Sequence, residues 1–501
     1  MEVIRLKNYI GGKFVDSKDG QLMDSVNPAT GVKILEVPCS GEADVDDAVA
    51  AAEEAKQAWR FTPLKERCEV LCRWADLIDA NLERLAQAES LDNGKPVALA
   101  RAVDIPRAAT NLRYFANFVM GFKEDVHSAH PSVLDVAMRD PLGVVVCISP
   151  WNLPLYLLTW KVAPALAAGN CVIAKPSEIT PYTAHLLCEL CTEAGVPAGV
   201  FNVLHGPGAK MGKRLVEHPK VRAVSFTGST ATGRVIATLA APLFKKVSLE
   251  MGGKNAALVF PDANLDLAVA TTVRSAFANQ GQICFCTSRL LVHQDIYAAF
   301  RDRLVARVRE LVVGDPQVAG TNIGAVVSRD HMGKIMSYVD LARQEGGTIL
   351  CGGETVTVPG RCKDGVFVAP TVVEGLPIDS RVNLEEIFGP VACLVPFSTE
   401  EEAVAMANIT PYGLSAVVWT DSLARSQRVV RHLDAGIIWV NTWMERNLGT
   451  VFGGHKSSGV GAEGGVHALR FFTTVKNVTI KTDHDTRASY SYDFSSAKSK
   501  I

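Results

Sequence analysis

Residues 143–175 read GVVVCISPWNLPLYLLTWKVAPALAAGNCVIAK, and the reading of this stretch decides the fold. Residues 141–160 carry no charge, as a membrane span would. Pro150, Asn152 and Pro154 fall in the middle, however, where the β-branched run GVVVCIS gives way to the helix-like LYLLTWKVAPAL. A prolyl break with a polar side chain suits a strand-to-helix crossover, not hydrocarbon. The stretch is a buried strand–helix–strand unit.

Working outward, the same alternation runs from 143 to 260. The strands are expected at GVVVCIS (143–149), CVIAK (171–175), VFNVLH (200–205), AVSFTG (223–228), KVSLEM (246–251) and AALVF (256–260), with helices such as 181–194 and 264–278 between them. Strands alternating with helices of this length predict a parallel sheet covered on both faces. A second series follows from about 288 to 445: RLLVH, helices at 295–311 and 327–345, FVAPTVV, PVACLVPF, SAVVWT and GIIWVN. Residues 45–120 have helical periodicity. The fold class is therefore α/β, with two domains of comparable size and no tandem repeat.

Composition agrees. The chain has 501 residues, 48% hydrophobic and 21% charged, which excludes disorder and a small disulfide scaffold. Fifty-one basic against 53 acidic residues give a net charge of -2, with no reason to expect nucleic acid or an anionic membrane as partner. Twelve cysteines are too sparse for a disulfide framework, and Cys188 and Cys191 read as buried helix cysteines, not a metal site. The N-terminal MEVIRLKNYIGGKF has no apolar signal region, so a reducing, cytoplasmic compartment is expected. Residues 482–501 are polar and patternless, which predicts a mobile tail. The tail ends Ser499-Lys500-Ile501, either a variant of the S-K-L peroxisomal address or a chance tripeptide.

Several segments carry chemistry. In FANQGQICFCTSR (277–289), a cysteine between helix and strand is a candidate nucleophile wherever a helix dipole, a neighbour or a cofactor favours the thiolate. Cys284 and Cys286 both qualify on position. In VSLEMGGKN, Glu250 ends an apolar strand, where ligands bind in open α/β sheets, and is either a general base on water or an ordinary solvated carboxylate. Asn152, in SPWNLP, either ties the turn or donates its amide to a substrate oxygen. HGPGAKMG (205–212) has the wrong spacing for a dinucleotide fingerprint. FTGSTATG (226–233) is the better phosphate site, because Gly228 and Ser229 end a strand and open a helix. Lys175 and Glu178, in AKPSE, are placed to hydrogen-bond an adenosine ribose, and a carboxylate there favours NAD over NADP.

Together SPWNLP, KPSE, FTGS, LEMGGKN, NQGQIC, EEIFGP and FGGHKSSG, in this order over some 300 residues, resemble the NAD(P)-dependent aldehyde dehydrogenase superfamily. The resemblance covers about residues 8–480. It implies two Rossmann-like α/β domains with a small β oligomerisation arm: an NAD-binding domain (1–121 and 141–252), a catalytic domain (253–452), an arm (122–140 and 470–482) and the tail 483–501. It makes Cys284 the nucleophile, Asn152 an oxyanion donor and Glu250 the activator of hydrolytic water. Lys175 and Glu178 would contact the adenosine ribose and Ser229 the pyrophosphate, with Trp151 alongside. Glu386 and Phe388 would flank the nicotinamide end. No metal is implied; homodimers or homotetramers are, by analogy.

PWNLPLYLLTWK, DIPR (104–107) and NTWMERNL (441–448) look most like the branch that oxidises 2-aminomuconate and 2-hydroxymuconate semialdehydes in tryptophan or aromatic-ring breakdown. In that branch two arginines grip the remote carboxylate, and the matching positions are Arg107 and Arg446. Guanidinium–carboxylate hydrogen bonds of about 1.5–3 kcal/mol each make this physically sensible. The alternatives are retinal or another apolar aldehyde, an accompanying esterase activity on Cys284, or a crystallin-like structural protein; the last has no need of the intact Cys284, Glu250 and Asn152. Two departures stand out. The tail runs some twenty residues past the family's usual end, and Glu445 sits beside Arg446, where it competes with a substrate carboxylate if it points inward.

Overall fold

The computed structural model describes residues 2–130 and 132–482. The expected tail and its terminal tripeptide lie outside the described residues. Strand β1 (Val144–Ile148) is buried along its whole length, as a run of five apolar residues must be when both sheet faces are covered. Each Val or Ile so buried contributes about 1.5–3 kcal/mol. Helix α1 (Pro154–Ala167) follows with Pro154 in its first turn, where a missing N–H costs nothing, and every one of its residues is buried. It leads to β2 (Cys171–Lys175), parallel to β1.

Strands β3 (Phe201–Val203), β4 (Val221–Thr227) and β5 (Lys246–Glu250) complete a parallel core in the spatial order β5-β4-β1-β2-β3. Asn8–Ile10 and Lys13–Val15 extend one antiparallel edge, and Gly459–Val460 closes the other against β5. The chain moves outward from β1 through β2 and β3 and then returns to lay β4 on the other side of β1. That reversal opens a crevice at the carboxyl ends of β1 and β4, the place where open α/β sheets bind ligands.

The second sheet holds β6 (Asn255–Val259), β7 (Thr287–His293), β8 (Thr371–Glu374), β9 (Val391–Phe397), β10 (Ser415–Trp419) and β11 (Ile437–Val440). They run parallel in the order β8-β9-β7-β6-β10-β11, with Thr348–Cys351 antiparallel at the edge. The single strand expected at FVAPTVV is divided in two. Phe367–Val368 pairs with Thr355–Val356, and only Thr371–Glu374 joins the large sheet. Pro370, which has no N–H to donate, stands at the break.

Only Met251–Lys254 separate β5 from β6, so the carboxyl end of the first sheet meets the amino end of the second. Ser458 buttresses this link: its carbonyl accepts from Met251 N at 2.8 Å and its hydroxyl donates to Gly252 O at 2.7 Å. A separate three-stranded sheet is built from Val126–His130, Val133–Pro141 and Thr473–Lys481. Among the described residues no helix is long and apolar enough to cross a membrane.

Candidate active site

Lys175, Glu178, Trp151, Gly228 and Ser229 line one cleft of about 700 Å³ at the crevice between β1 and β4. Lys175 Nζ donates to Glu178 Oε2 at 3.0 Å and to Pro176 O at 3.1 Å, which fixes the ammonium at the end of β2. Ser229 caps helix α2 (Thr230–Ala240) by accepting from Thr232 N at 3.2 Å. The first turn of α2 therefore borders the cleft with N–H groups that have no intrahelical partner. Gly208 and Gly212, from the segment whose spacing did not match a fingerprint, line the same cleft.

A smaller cavity of about 230 Å³ continues from it and gathers Trp151, Asn152, Gly228, Ser229, Cys284, Glu386 and Phe388. Glu386 is half-buried, accepts from Gly253 N at 2.9 Å, and presses so closely on Gly252 that a Cβ there would lie 2.2 Å from its Oε2. The Phe388 and Trp151 rings meet edge-on at 5.2 Å. His331, which no sequence motif marked, completes the wall. Its Nε2 hydrogen-bonds with Phe388 O at 2.7 Å, its ring lies 5.2 Å from Trp151, and burial lowers its pKa to about 4.

Cys284 is half-buried and lines this cavity, whereas Cys286 is buried and its Sγ turns back towards Ala278 O at 3.9 Å. Geometry thus separates the two thiols that position left equal. Asn255 Nδ2 holds the carbonyls of both, at 2.6 and 3.0 Å. The turn before Cys284 is left-handed at Asn279 (φ 51), Gln280 (φ 58) and Gly281 (φ 69). A Cβ at residue 281 would lie 2.3 Å from Gly389 O, so glycine is required there. Side-chain amides tether the turn: Gln280 Nε2 donates to Ala325 O at 3.1 Å, and Gln282 Oε1 accepts from Val327 N at 3.0 Å.

Cys284 precedes a strand, and no helix of its own begins at the thiol. Burial, then the nearby Glu386 and Glu250 carboxyls, push its pKa well above the ordinary thiol range. A thiolate there needs help from another group that reaches the cavity, such as a bound cofactor. Asn152, 2% exposed, donates Nδ2 to Gln282 O at 2.9 Å, which places its amide beside the cysteine turn.

Glu250 lines neither cavity. It is 3% exposed with both carboxyl oxygens unpartnered, so it is not a solvated carboxylate. Burial and then Glu463 raise its pKa well above the usual carboxyl value, against the pull of Lys161 and Arg446. Lys161 Nζ donates to Glu463 Oε1 at 2.7 Å and to Ser225 Oγ at 3.2 Å.

Arg107 and Arg446 line neither cavity, and the two meet over the ring of Trp160. The Arg446 guanidinium stands 4.7 Å over Trp160 and 4.3 Å over Phe452; that of Arg107 is 5.0 Å over Tyr156 and 5.9 Å over Trp160. Arg107 Nη2 and Arg446 Nη1 are buried without a hydrogen-bond partner. Glu445 points outward and is exposed, and Trp439 Nε1 holds its carbonyl at 2.9 Å, so it does not compete for Arg446. Burial lowers the Arg446 pKa, Arg107 adds to that, and Cys284 opposes it; the arginine pair and the thiol share one electrostatic neighbourhood.

Two parallel sheets meeting end to end, with a nucleotide-sized cleft on one side and a thiol at the junction, define an α/β dehydrogenase scaffold. The chain belongs to the aldehyde dehydrogenase family, whose profile matches residues 14–478. It is 48% identical over 483 residues to a mouse 2-aminomuconic semialdehyde dehydrogenase, covering 96% of this chain and 99% of that protein. A 2-hydroxymuconic semialdehyde dehydrogenase of Pseudomonas sp. (strain CF600) is 47% identical, covering 95% and 99%. A crystal structure of an indole-3-acetaldehyde dehydrogenase complexed with NAD+ superposes with a TM-score of 0.93 at 36% identity, covering 96% of this chain and 97% of that one.

Proposed function

We propose that this chain oxidises a semialdehyde carrying a carboxylate at its far end, of the 2-aminomuconate 6-semialdehyde type, to the acid with NAD as acceptor. The observation that carries the substrate reading is the pair of half-buried guanidinium groups, Arg107 and Arg446. Each has an unpartnered nitrogen, and neither has an ion pair among the described residues. Buried unpaired cations are costly, and a substrate carboxylate relieves that cost. The similarity to the two muconic semialdehyde dehydrogenases supports the same class.

NAD fits the residues present. The cleft of about 700 Å³ has room for a nucleotide, Gly228 and Ser229 open α2 where a pyrophosphate is stabilised, and Glu178 next to Lys175 disfavours a 2′-phosphate. Glu386 and Phe388 would hold the nicotinamide end, with Trp151 beside the pyrophosphate and its ring against Phe388. Bound NAD supplies an acceptor for hydride. The other roles fall to this chain's own residues. Cys284 Sγ, deprotonated, adds to the aldehyde carbon, and Asn152 Nδ2 with the Cys284 N–H stabilises the resulting oxyanion. Hydride loss from that carbon leaves a thioester on Cys284. Glu250 takes a proton from the water that attacks the thioester, releasing the acid and the thiolate.

The domain assignment follows: 1–121 with 141–252 binds NAD, 253–452 carries the nucleophile, and the sheet from 122–140 and 470–482 pairs subunits in a homodimer or homotetramer. The cytoplasm is the proposed compartment. The test compares NADH formation on a six-carbon semialdehyde bearing a terminal carboxylate with that on an uncharged aldehyde of equal length. The expected kcat/KM preference exceeds about a hundredfold, or ~2.7 kcal/mol. Equal kcat/KM would move the substrate to an apolar aldehyde.

A further inference from the structure

The helix Leu82–Asn93 stops at Gly94, whose φ of +87° and close approach to Ala325 O (2.8 Å from a would-be Cβ) admit only glycine. This sharp stop turns Lys95 inward. Its side chain is fully buried, yet its head is paired: Nζ donates to Asp104 Oδ2 at 2.5 Å and to the backbone carbonyl of Asn152 at 3.0 Å. Asp104, 1% exposed, closes a π-helical turn, Ala100–Asp104, ahead of the helix Ile105–Met120. Such turns re-aim side chains and recur at functional sites.

The carbonyl of Asn152 is the centre of an unusual convergence. Besides Lys95 it accepts from Asn279 Nδ2 at 3.1 Å, and Asn93 Nδ2 lies at 3.4 Å. Three donors from two segments, Asn93–Lys95 and the turn at Asn279, thus aim at one oxygen that has two lone pairs. The other end of the residue is held as well, because Nδ2 donates to Gln282 O in the turn that carries Cys284. One amide hydrogen is spent there and one remains. Stability alone does not demand the Lys95–Asp104 pair, since buried ion pairs are often replaced by apolar residues at no loss.

We propose that Lys95, held by Asp104, is a positioning residue that aims the Asn152 amide at the reacting carbonyl oxygen. The inference rests on the reading of Asn152 as oxyanion donor. The Asn152 peptide plane sets the direction of its Cα–Cβ bond, and the ammonium, which does not line the cavity shared by Asn152 and Cys284, fixes that plane. No proton or electron moves through Lys95.

The test is a double-mutant cycle in single-turnover NADH formation with an uncharged aldehyde, so that any shift of Arg107 does not enter. Lys95→Met with Asp104→Leu removes the donor together with its ion-pair partner. It is expected to slow hydride transfer by about tenfold or more, a fraction of the ~10²–10³ that losing an oxyanion donor costs. In an Asn152→Ala background the same pair of substitutions should change the rate by less than about twofold, because no amide is left to aim. NAD affinity and alkylation of Cys284 by iodoacetamide should not change in either case. Equal slowing in both backgrounds, or none in the first, overturns the proposal while leaving Asn152 its role. An Asn152→Ala variant of normal rate overturns both. Should the paired variant not fold, Asn279→Gly removes a second donor from the same carbonyl while suiting its left-handed backbone, and the same non-additivity is required of it.

Discussion

Replacing Arg446 by methionine removes the guanidinium but keeps a flexible apolar stem against Trp160 and Phe452, the rings it covers at 4.7 and 4.3 Å. In the free protein two effects oppose each other. Losing the cation–π contacts costs about 0.5–2 kcal/mol, and removing the buried, unpartnered Nη1 returns about 1–3 kcal/mol. Stability should change little, with Tm within about 2 °C of the parent. In the complex one charge-assisted hydrogen bond to the carboxylate disappears, worth about 1.5–3 kcal/mol. That converts to roughly a 10- to 150-fold fall in kcat/KM for the carboxylated semialdehyde. Because the carboxylate lies away from the reacting carbon, the loss belongs in KM, with kcat within about threefold. The assay is steady-state NADH formation by parent and variant on the carboxylated substrate and on an uncharged aldehyde of equal length. The uncharged substrate should lose less than about threefold. Equal loss on both substrates would refute the carboxylate-anchor reasoning, and so would a fall confined to kcat.

Cys284→Ala should abolish aldehyde oxidation while NAD still binds by fluorescence titration, and Cys286→Ala should keep most of the activity. The reverse pattern would move the nucleophile. Glu250→Gln should still form NADH in a burst of about one per site and then stall at the thioester; sustained turnover would remove Glu250 from the hydrolytic step. Because the folded pKa of Glu250 lies above its unfolded value, its ionisation opposes folding. Its contribution is unpenalised below the ordinary carboxylate range and is lost as pH climbs towards the raised folded value. The Tm gained by Glu250→Gln should therefore be larger at alkaline than at acidic pH, and a gain independent of pH contradicts the assignment. Glu178→Ser should narrow the preference for NAD over NADP by about tenfold, the weight of one lost charge repulsion near a ribose; an unchanged ratio would place that specificity elsewhere.

The crossover at 143–175 was legible because its signals are local: five apolar residues, then a proline, then helical spacing. Glu250 and Asn152 stood out for the same reason, as polar side chains at strand and helix ends, whereas Cys284 and Cys286 were equal on position and only the family resemblance favoured Cys284. What the sequence hid is what distance in the chain hides. Lys95 and Asn152 are 57 residues apart, and nothing in NGKP announces a buried ion pair. His331 sits in an ordinary amphipathic helix, and only the fold brings it to Phe388. The left-handed run at Asn279 and Gln280 goes against the usual preference of glutamine, and tethers from a loop some 45 residues away hold it. The division of FVAPTVV at Pro370 was masked by the β-branched residues around it, which favour one continuous strand.

The short link Met251–Lys254 has a consequence for descent by recombination. From Glu250 to Asn255 the chain spans at most about 18 Å, so the facing ends of the two sheets cannot part further than that at the link. A chimera joined at this link would set Gly252 from one parent against Glu386 from the other, at a spacing where even a methyl group would lie 2.2 Å from a carboxylate oxygen. Gene shuffling between relatives should therefore recover few viable crossovers between residues 252 and 386 unless both parents carry that glycine and that glutamate.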